Sequence, residues 1–497
     1  MDQPMPFPPE PRYPVRKREA IFGAALLVCC IFLWNCILYG GFHLGFAIGY
    51  LAVMGCCVWY LLSCGHRFDG YSGSLLGLSA AIAAGFARSS DGFVKFVLLC
   101  FLLFASNLSF CLAAKQNRRA AGGIGSVLDA PRAFFVLGIG GMSATVRGLN
   151  DARKNAGTAG KKGSAALLGI VIAIPVIAVV VFLLMRADAA FEGLMDLLPE
   201  TDWDEPITSL LVGAFACWIL FSRGLGLHFS EKQPTKAGRF HGIHPITVNI
   251  LMGSVCLVYV VYLLSQLAYF SGGLSGILPE EYTMAQYARR GFFEMAWLGA
   301  INLGLICFSM GLVEKNRSPG LTKGFCLFLG LVTLFLITTA SAKMFLYIGS
   351  YGLTRLRVLT QVIMVWLAIT TVLVCIWLFR PGFAYMKAVI LSALVLGAAV
   401  LWADVDTQVA RYNVRAYQSG VLETVDVYHL RTLGCGAVPY IEELTHDADP
   451  QIAEEAKECL KYRSIAVDDF RYWNWSRVIA AEVLKHYEVS EAAELLP

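Results

Sequence analysis

Residues Ile21 to Leu38 read IFGAALLVCCIFLWNCIL, eighteen positions without a charge. As a helix this run rises about 27 Å at about 1.5 Å per residue, close to the roughly 30 Å hydrocarbon layer of a bilayer. The same texture returns in Phe93 to Ala114 and in Ala166 to Met185. Runs of this kind cannot all be buried in one water-soluble core, so lipid is the solvent for most of the chain.

Composition points the same way. The 497 residues are 57% hydrophobic and only 15% charged, against roughly 25% charged in ordinary soluble domains. Apolar runs near 20–38, 43–64, 71–88, 92–114, 164–186, 207–227, 246–271, 290–313, 322–348, 357–379 and 382–403 predict about eleven spans. The third is rich in Ala, Gly and Ser; without it the count is ten. The expected fold is all-α: a polytopic transmembrane helix bundle with a small C-terminal α-helical soluble module. Its parts are a disordered basic cytoplasmic tail (1–19), N-terminal spans (20–114), a basic loop (115–163), a second set of spans (164–403) and the module (404–497).

Lys and Arg placement sets the expected orientation. Arg16-Lys17-Arg18 precede the first run without a small-residue cleavage site, so that run reads as an anchor rather than a signal peptide. The tail and the loop from Lys115 to Lys162, with nine basic residues, belong in the cytoplasm, as do Arg223, Lys232, Lys236 and Arg239. Ala187 to Pro206 carries Asp188, Glu192, Asp196, Glu200, Asp202, Asp204 and Glu205 and no Lys, as an outside loop would. Eleven crossings then put the C-terminal module, with seventeen acidic and nine basic residues, outside the cytoplasm. Within the basic loop, Ala133 to Val146 is apolar but too short to span, and reads as an interfacial or re-entrant helix. Its Gly138, Gly140 and Gly141 lack the Lys-Ser/Thr that completes a nucleotide loop.

Arg289, Arg290, Arg355 and Arg357 oppose the charge bias, falling on the outer side. Around them gathers a polar collar: Gln266 and Tyr269 closing the seventh span, Tyr287 and Glu294 at the eighth, and Lys343, Tyr347 and Tyr351 in one stripe on the ninth. Glu294 wants a cation, and Arg290 or Lys343 can supply one. Two readings stay open. In one the Arg side chains snorkel to headgroups and the Tyr side chains form an aromatic belt. In the other the collar receives a phosphate- or carboxylate-bearing ligand.

Tyr287 to Glu294, with Tyr347-Ile348-Gly349-Ser350-Tyr351-Gly352-Leu353-Thr354-Arg355-Leu356-Arg357, resembles a bacterial membrane-protein family catalogued as domain of unknown function 4173, and its close relative 4153. Arg411-Tyr412-Asn413 and Ala437-Val438-Pro439 are similar to the same family, so the resemblance covers roughly 205–480. It implies a polytopic fold and carries no activity with it. An acidic residue expected before Ala437-Val438-Pro439 is absent from Leu433-Gly434-Cys435-Gly436.

In the module, Asp449 and Pro450 predict a helix start, with further helices over Val438–Leu444 and Ser476–His486. Trp473 and Trp475, beside Arg471 and Arg477, fit either a membrane surface or a core. Cys435 and Cys459 could be bridged if outside the cytoplasm. His241 and His244 lack companions for zinc, and Asp202-Trp203-Asp204-Glu205 reads as solvated loop rather than a catalytic site. No cofactor motif, catalytic constellation or nucleic-acid face is evident.

Three functions fit the sequence. The first is a non-enzymatic protein of the cell membrane that binds or moves a small anionic or lipid-linked solute through spans seven to ten, lined by Asn249, Gln266 and Asn302. The second is a sensor or scaffold whose module binds an envelope partner. The third is a membrane-embedded lipid or sugar transferase using Glu294 or Asp202.

Overall fold

The computed structural model describes residues 13–118, 123–155, 204–231, 243–274, 292–313, 320–461, 465, 467 and 469–494. The fold is an all-α polytopic bundle. Its N-terminal half holds α1 (Lys17–Gly40), α2 (Leu44–Ser63), α3 (Gly70–Gly85), α4 (Gly92–Ala113), α5 (Met142–Asn155) and α6 (Asp204–Phe229). The C-terminal half holds α7 (Pro245–Leu274), α8 (Phe292–Leu312), α9 (Gly320–Tyr351), α10 (Arg355–Phe379) and α11 (Tyr385–Ala403). The module follows: α12 (Val405–Gln418), α13 (Val427–Thr432), α14 (Val438–Leu444), α15 (Pro450–Lys461) and α16 (Trp475–Glu494). Among the described residues, nine helices are long and apolar enough to cross a membrane, which makes this a multi-pass membrane protein.

Span starts are written in short polar side chains. Asp69 caps α3 by accepting from the Ser72 N–H at 2.7 Å, and Asp91 caps α4 by accepting from Phe93 and Val94. The helix α3 stands where the third span is expected, and it is not one of those nine. At 16 residues α3 is short, but it runs beside α11 over nearly its whole height. The Lys387 ammonium lies 4.9 Å from the Tyr71 ring at one end, and the Trp402 indole N–H donates to Ala81 O at the other.

The helix ends fall on two faces. On one, the Tyr13 hydroxyl meets Ser230 Oγ at 2.9 Å and Gln116 Nε2 donates to Ser230 O. On the other lie the α1–α2, α3–α4 and α9–α10 turns, the start of α6 and the whole module. The helices before and after the break at Gly140–Gly141 bend by 42°. Arg132 donates to Gln116 O, and Gly148 packs on Tyr13, so both sides of that break stay at the amino-terminal face. An interfacial or re-entrant helix is what the sequence predicts there. The span expected over 164–186 lies outside the described residues, as do Asp202, His241, Tyr287, Arg289 and Arg290.

Two apolar cores fill the bundle, one in α1–α4 and α6, the other in α7–α10, with α11 contributing to both. A third core lies in α12–α16. Two charged residues depart from their expected places. Arg223 is not in a cytoplasmic loop but buried in α6, where it donates to Asn107 Oδ1 at 2.6 Å, faces Cys57 Sγ and lies over the Phe110 ring. Glu205 is not solvated loop; it accepts from Arg471 and from Asn35. In both cases a fixed polar partner replaces the water that the sequence reading assumed.

Candidate functional site

Where α9 gives way to α10, the chain reverses through Gly352-Leu353-Thr354. Gly352 has φ +73°, a conformation an L side chain resists, and a Cβ there would press on Asn413 Oδ1. Asn413 clasps the turn. Its Oδ1 accepts from the Leu353 N–H at 2.6 Å and its Nδ2 donates to Leu353 O at 2.8 Å. The two motif segments, Tyr347–Arg357 and Arg411–Asn413, thus meet backbone to side chain.

Thr354 caps α10 and sends Arg355 and Arg357 in different directions. Arg357 turns back over the Tyr347 ring, 4.3 Å from its centre, and donates to the carbonyls of Tyr351 and Gly352. Arg355 reaches into the module, where Nε and Nη2 donate to the two carboxylate oxygens of Asp406 at 2.8 and 2.9 Å. Its Nε also lies 2.8 Å from Asp91 Oδ2, an ion pair without hydrogen-bond alignment because that N–H is already directed at Asp406. One guanidinium therefore ties the start of α4, the start of α10 and the start of α12.

Asp406 is fully buried and also accepts from the Gly434 N–H at 2.9 Å. Burial pushes its carboxyl above the usual range, against the pull of the Gly434 N–H and of Arg355. Asp404, two residues earlier, turns from α11 into α12 with φ +52°. Its carboxylate accepts from Ser89 at 3.1 Å, Ser476 at 2.5 Å and Thr407 at 2.6 Å. The turn Gly434-Cys435-Gly436 lies against both acids. A Cβ at Gly434 would collide with Ser90 and Asp406, and one at Gly436 with Thr407 and Asp404. The acid missing from that turn in the sequence is thus supplied in space by α12. Among the described residues no disulfide joins Cys435 to Cys459.

A second strap completes the seam. Asn474 donates to the carbonyls of Phe86 and Ser89, and the Trp475 N–H to Ala87 O, so the chain entering α16 clamps the α3–α4 turn. Beside it, the Lys95 ammonium donates to Phe42 O and lies 3.2 Å from His43 Nδ1, while Arg477 stands 3.4 Å from His43 Nε2. Burial first, then these two cations, push the His43 imidazole down to about 3, so it is neutral at physiological pH.

Of the expected collar, Lys343, Tyr347, Tyr351, Arg355 and Arg357 lie on α9 and α10 as placed, with the Tyr347 and Tyr351 rings 4.9 Å apart. Glu294 is exposed in the first turn of α8. Gln266 and Tyr269 are in α7, and their side chains are outside the described residues. Asn249 and Asn302 bond to neighbouring helices rather than to an open lumen: Asn249 accepts from Thr322, and Asn302 joins Tyr259 to Thr333. Sequence reasoning missed Asp91, Asp404, Asp406, Asn474 and His43. Charges at span ends read as ordinary loop polarity, and only the misplaced Arg355 signalled the seam.

Among the described residues no group of three or more His, Cys, Asp or Glu is placed to hold a metal ion. No curated protein and no solved structure matches the chain. A family model matches residues 73–444, from α3 through α14, and so takes in both sides of the seam. The match is to 4153 and not to 4173, and the chain belongs to that family, described as Domain of unknown function (DUF4153).

Proposed function

We propose that the protein is a non-enzymatic scaffold of the cell membrane, with the module outside the cytoplasm, presenting a basic helix face to an acidic envelope partner. The carrying observation is the two-sidedness of α12. Asp406, Val409, Ala410, Asn413 and Val414 are buried against the α9–α10 turn and the module core. Gln408, Arg411, Tyr412, Arg415 and Ser419 instead line an open concavity of about 520 Å³. The Arg355–Asp406 fork and the Asn413 clasp fix the inner face, which holds the outer face in one orientation without further ordering cost. Passage of an anionic solute has less support, since Arg355 and Arg357 already have partners in the chain.

The test is charge reversal in the full chain. Arg411→Glu with Arg415→Glu should abolish complementation of a deletion strain while membrane abundance stays at wild-type level. A disulfide lock between Leu353→Cys and Asn413→Cys should leave complementation intact. Normal function of the charge-reversed protein, or loss of function on locking, would overturn the scaffold reading.

A further inference from the structure

The outer surface of the bundle is grooved where α4, α10 and α11 meet. Its walls begin with Phe93 on α4, Leu356 on α10 and Val400 on α11, and end with Phe101, Trp366 and Ala393. The cavity is about 320 Å³ and nearly wholly apolar. Its one hydroxyl, Thr360, is spent on Leu356 O at 2.5 Å. The floor is closed by Gly397, which sits so near Leu98 that a Cβ would meet its Cδ2 at 2.6 Å. The mouth opens outward, with Phe93, Phe101 and Ile363 exposed on the belt that faces lipid.

We propose that this groove seats one acyl chain of a bilayer phospholipid from the leaflet on the module's side. Length and position choose that occupant. Phe93 and Leu356 are each the second residue of their helix, so the groove starts at the level where the spans enter the membrane. From Phe93 to Phe101, and from Leu356 to Trp366, the walls descend about 12 to 15 Å at about 1.5 Å per residue. That is about half of a hydrocarbon layer of about 30 Å, the depth of one leaflet's chain. A groove wholly within apolar span surface admits neither water nor a polar ligand, and an unfilled one would leave its walls without contacts on one side.

The site lies outside the basic face of α12, and its walls touch both apolar cores: Leu98 and Leu359 pack in the first and Trp366 against the second. The chain seated there fills the seam between the halves directly beneath Asp91 and Arg355.

The test uses full-length protein in phosphatidylcholine vesicles doped with a phosphatidylcholine carrying a diazirine at mid-chain. After illumination, labelling mapped residue by residue should concentrate on Phe101, Ile363 and Trp366 rather than on exposed Phe96 or Val395. Ala393→Trp fills the groove and should lower that labelling about tenfold, equal to about 1.4 kcal/mol of lost preference. Val395→Trp, on the lipid-facing side of α11, should not change it. Even labelling of groove and belt in the wild type, or labelling indifferent to Ala393→Trp, would overturn the assignment. If Ala393→Trp fails to fold, the wild-type labelling pattern decides alone. Complementation by Arg411→Glu/Arg415→Glu is a separate readout, so failure here leaves the scaffold reading standing.

Discussion

Arg355 and Asp406 are 51 positions apart and joined by two parallel hydrogen bonds, the geometry a planar guanidinium offers and an ammonium does not. Arg355→Lys should therefore loosen the module from the spans, at a cost of about 1–3 kcal/mol, because a buried carboxylate loses one of its two parallel charge-assisted hydrogen bonds. The loss should appear as a lower melting temperature in detergent and as faster proteolytic release of 404–497. Arg357→Lys, which forfeits a ring contact and bonds to the Tyr351 and Gly352 carbonyls but leaves no buried carboxylate, should cost under about 1 kcal/mol. Equal effects of the two changes would deny the fork its role.

Gly434→Ala and Gly436→Ala push a methyl group into Ser90, Thr407 and the two aspartates. Each should destabilise by about 1–3 kcal/mol, the usual cost of overpacking, and lower membrane abundance. Gly349→Ala, with nothing near its Cβ, should be neutral or slightly stabilising within α9.

His43 links stability to acidity. Its ordinary value is 6.5, and burial with Lys95 and Arg477 lowers it to about 3 in the folded chain. Between those values the unfolded chain binds the extra proton and the folded chain does not, so stability falls as pH drops from about 6.5 toward about 3. Melting temperature measured from pH 7.5 to 5 should decline in the wild type and less steeply in His43→Gln. Asp406 runs the other way: its raised carboxyl costs stability as pH rises through the folded value. Comparing the two proteins at each pH isolates the imidazole.

Arg223 is a buried cation held by an amide, a thiol and a ring. Asn107→Leu should destabilise the bundle by removing its best acceptor, whereas Arg223→Met should be neutral or stabilising in a detergent melt. A larger loss for Arg223→Met would mean that the buried cation and its partners are a net source of stability.

Orientation can be read with an impermeant maleimide on intact cells. Val421→Cys, exposed on the module, should gain labelling over the wild-type background, and Ser230→Cys, at the opposite face, should not.

The spans were legible because lipid enforces long apolar runs whose ends are marked by Asp69, Asp91 and Thr354, and local sequence carries all of that. α3, poor in large residues and only 16 residues long, falls short of that rule and packs along α11. The seam was not legible, because its partners are joined only by the fold: Ser89 meets Asp404 across 315 positions and Asn474 meets Phe86 across 388. Arg355 stood out as a charge against the topological bias, but the sequence offered it a ligand, while the chain's own Asp406 fills that place. The collar around Glu294 was drawn from charge bias, span ends and helix spacing, and none of these says which helix lies alongside.

The same long separations impose an order on biosynthesis. A ribosome that has threaded α4 into the membrane has already made Asp91 and Lys95, yet Asp404, Asp406 and Asn474 emerge only after more than three hundred further residues. Until then the carbonyls of Phe86, Ala87 and Ser89 lack the partners that the C-terminal helices bring, as an unfinished domain exposes its interior. The C-terminal helices thus close the fold last: a chain that stalls before Asn474 leaves the clamp on the α3–α4 turn open.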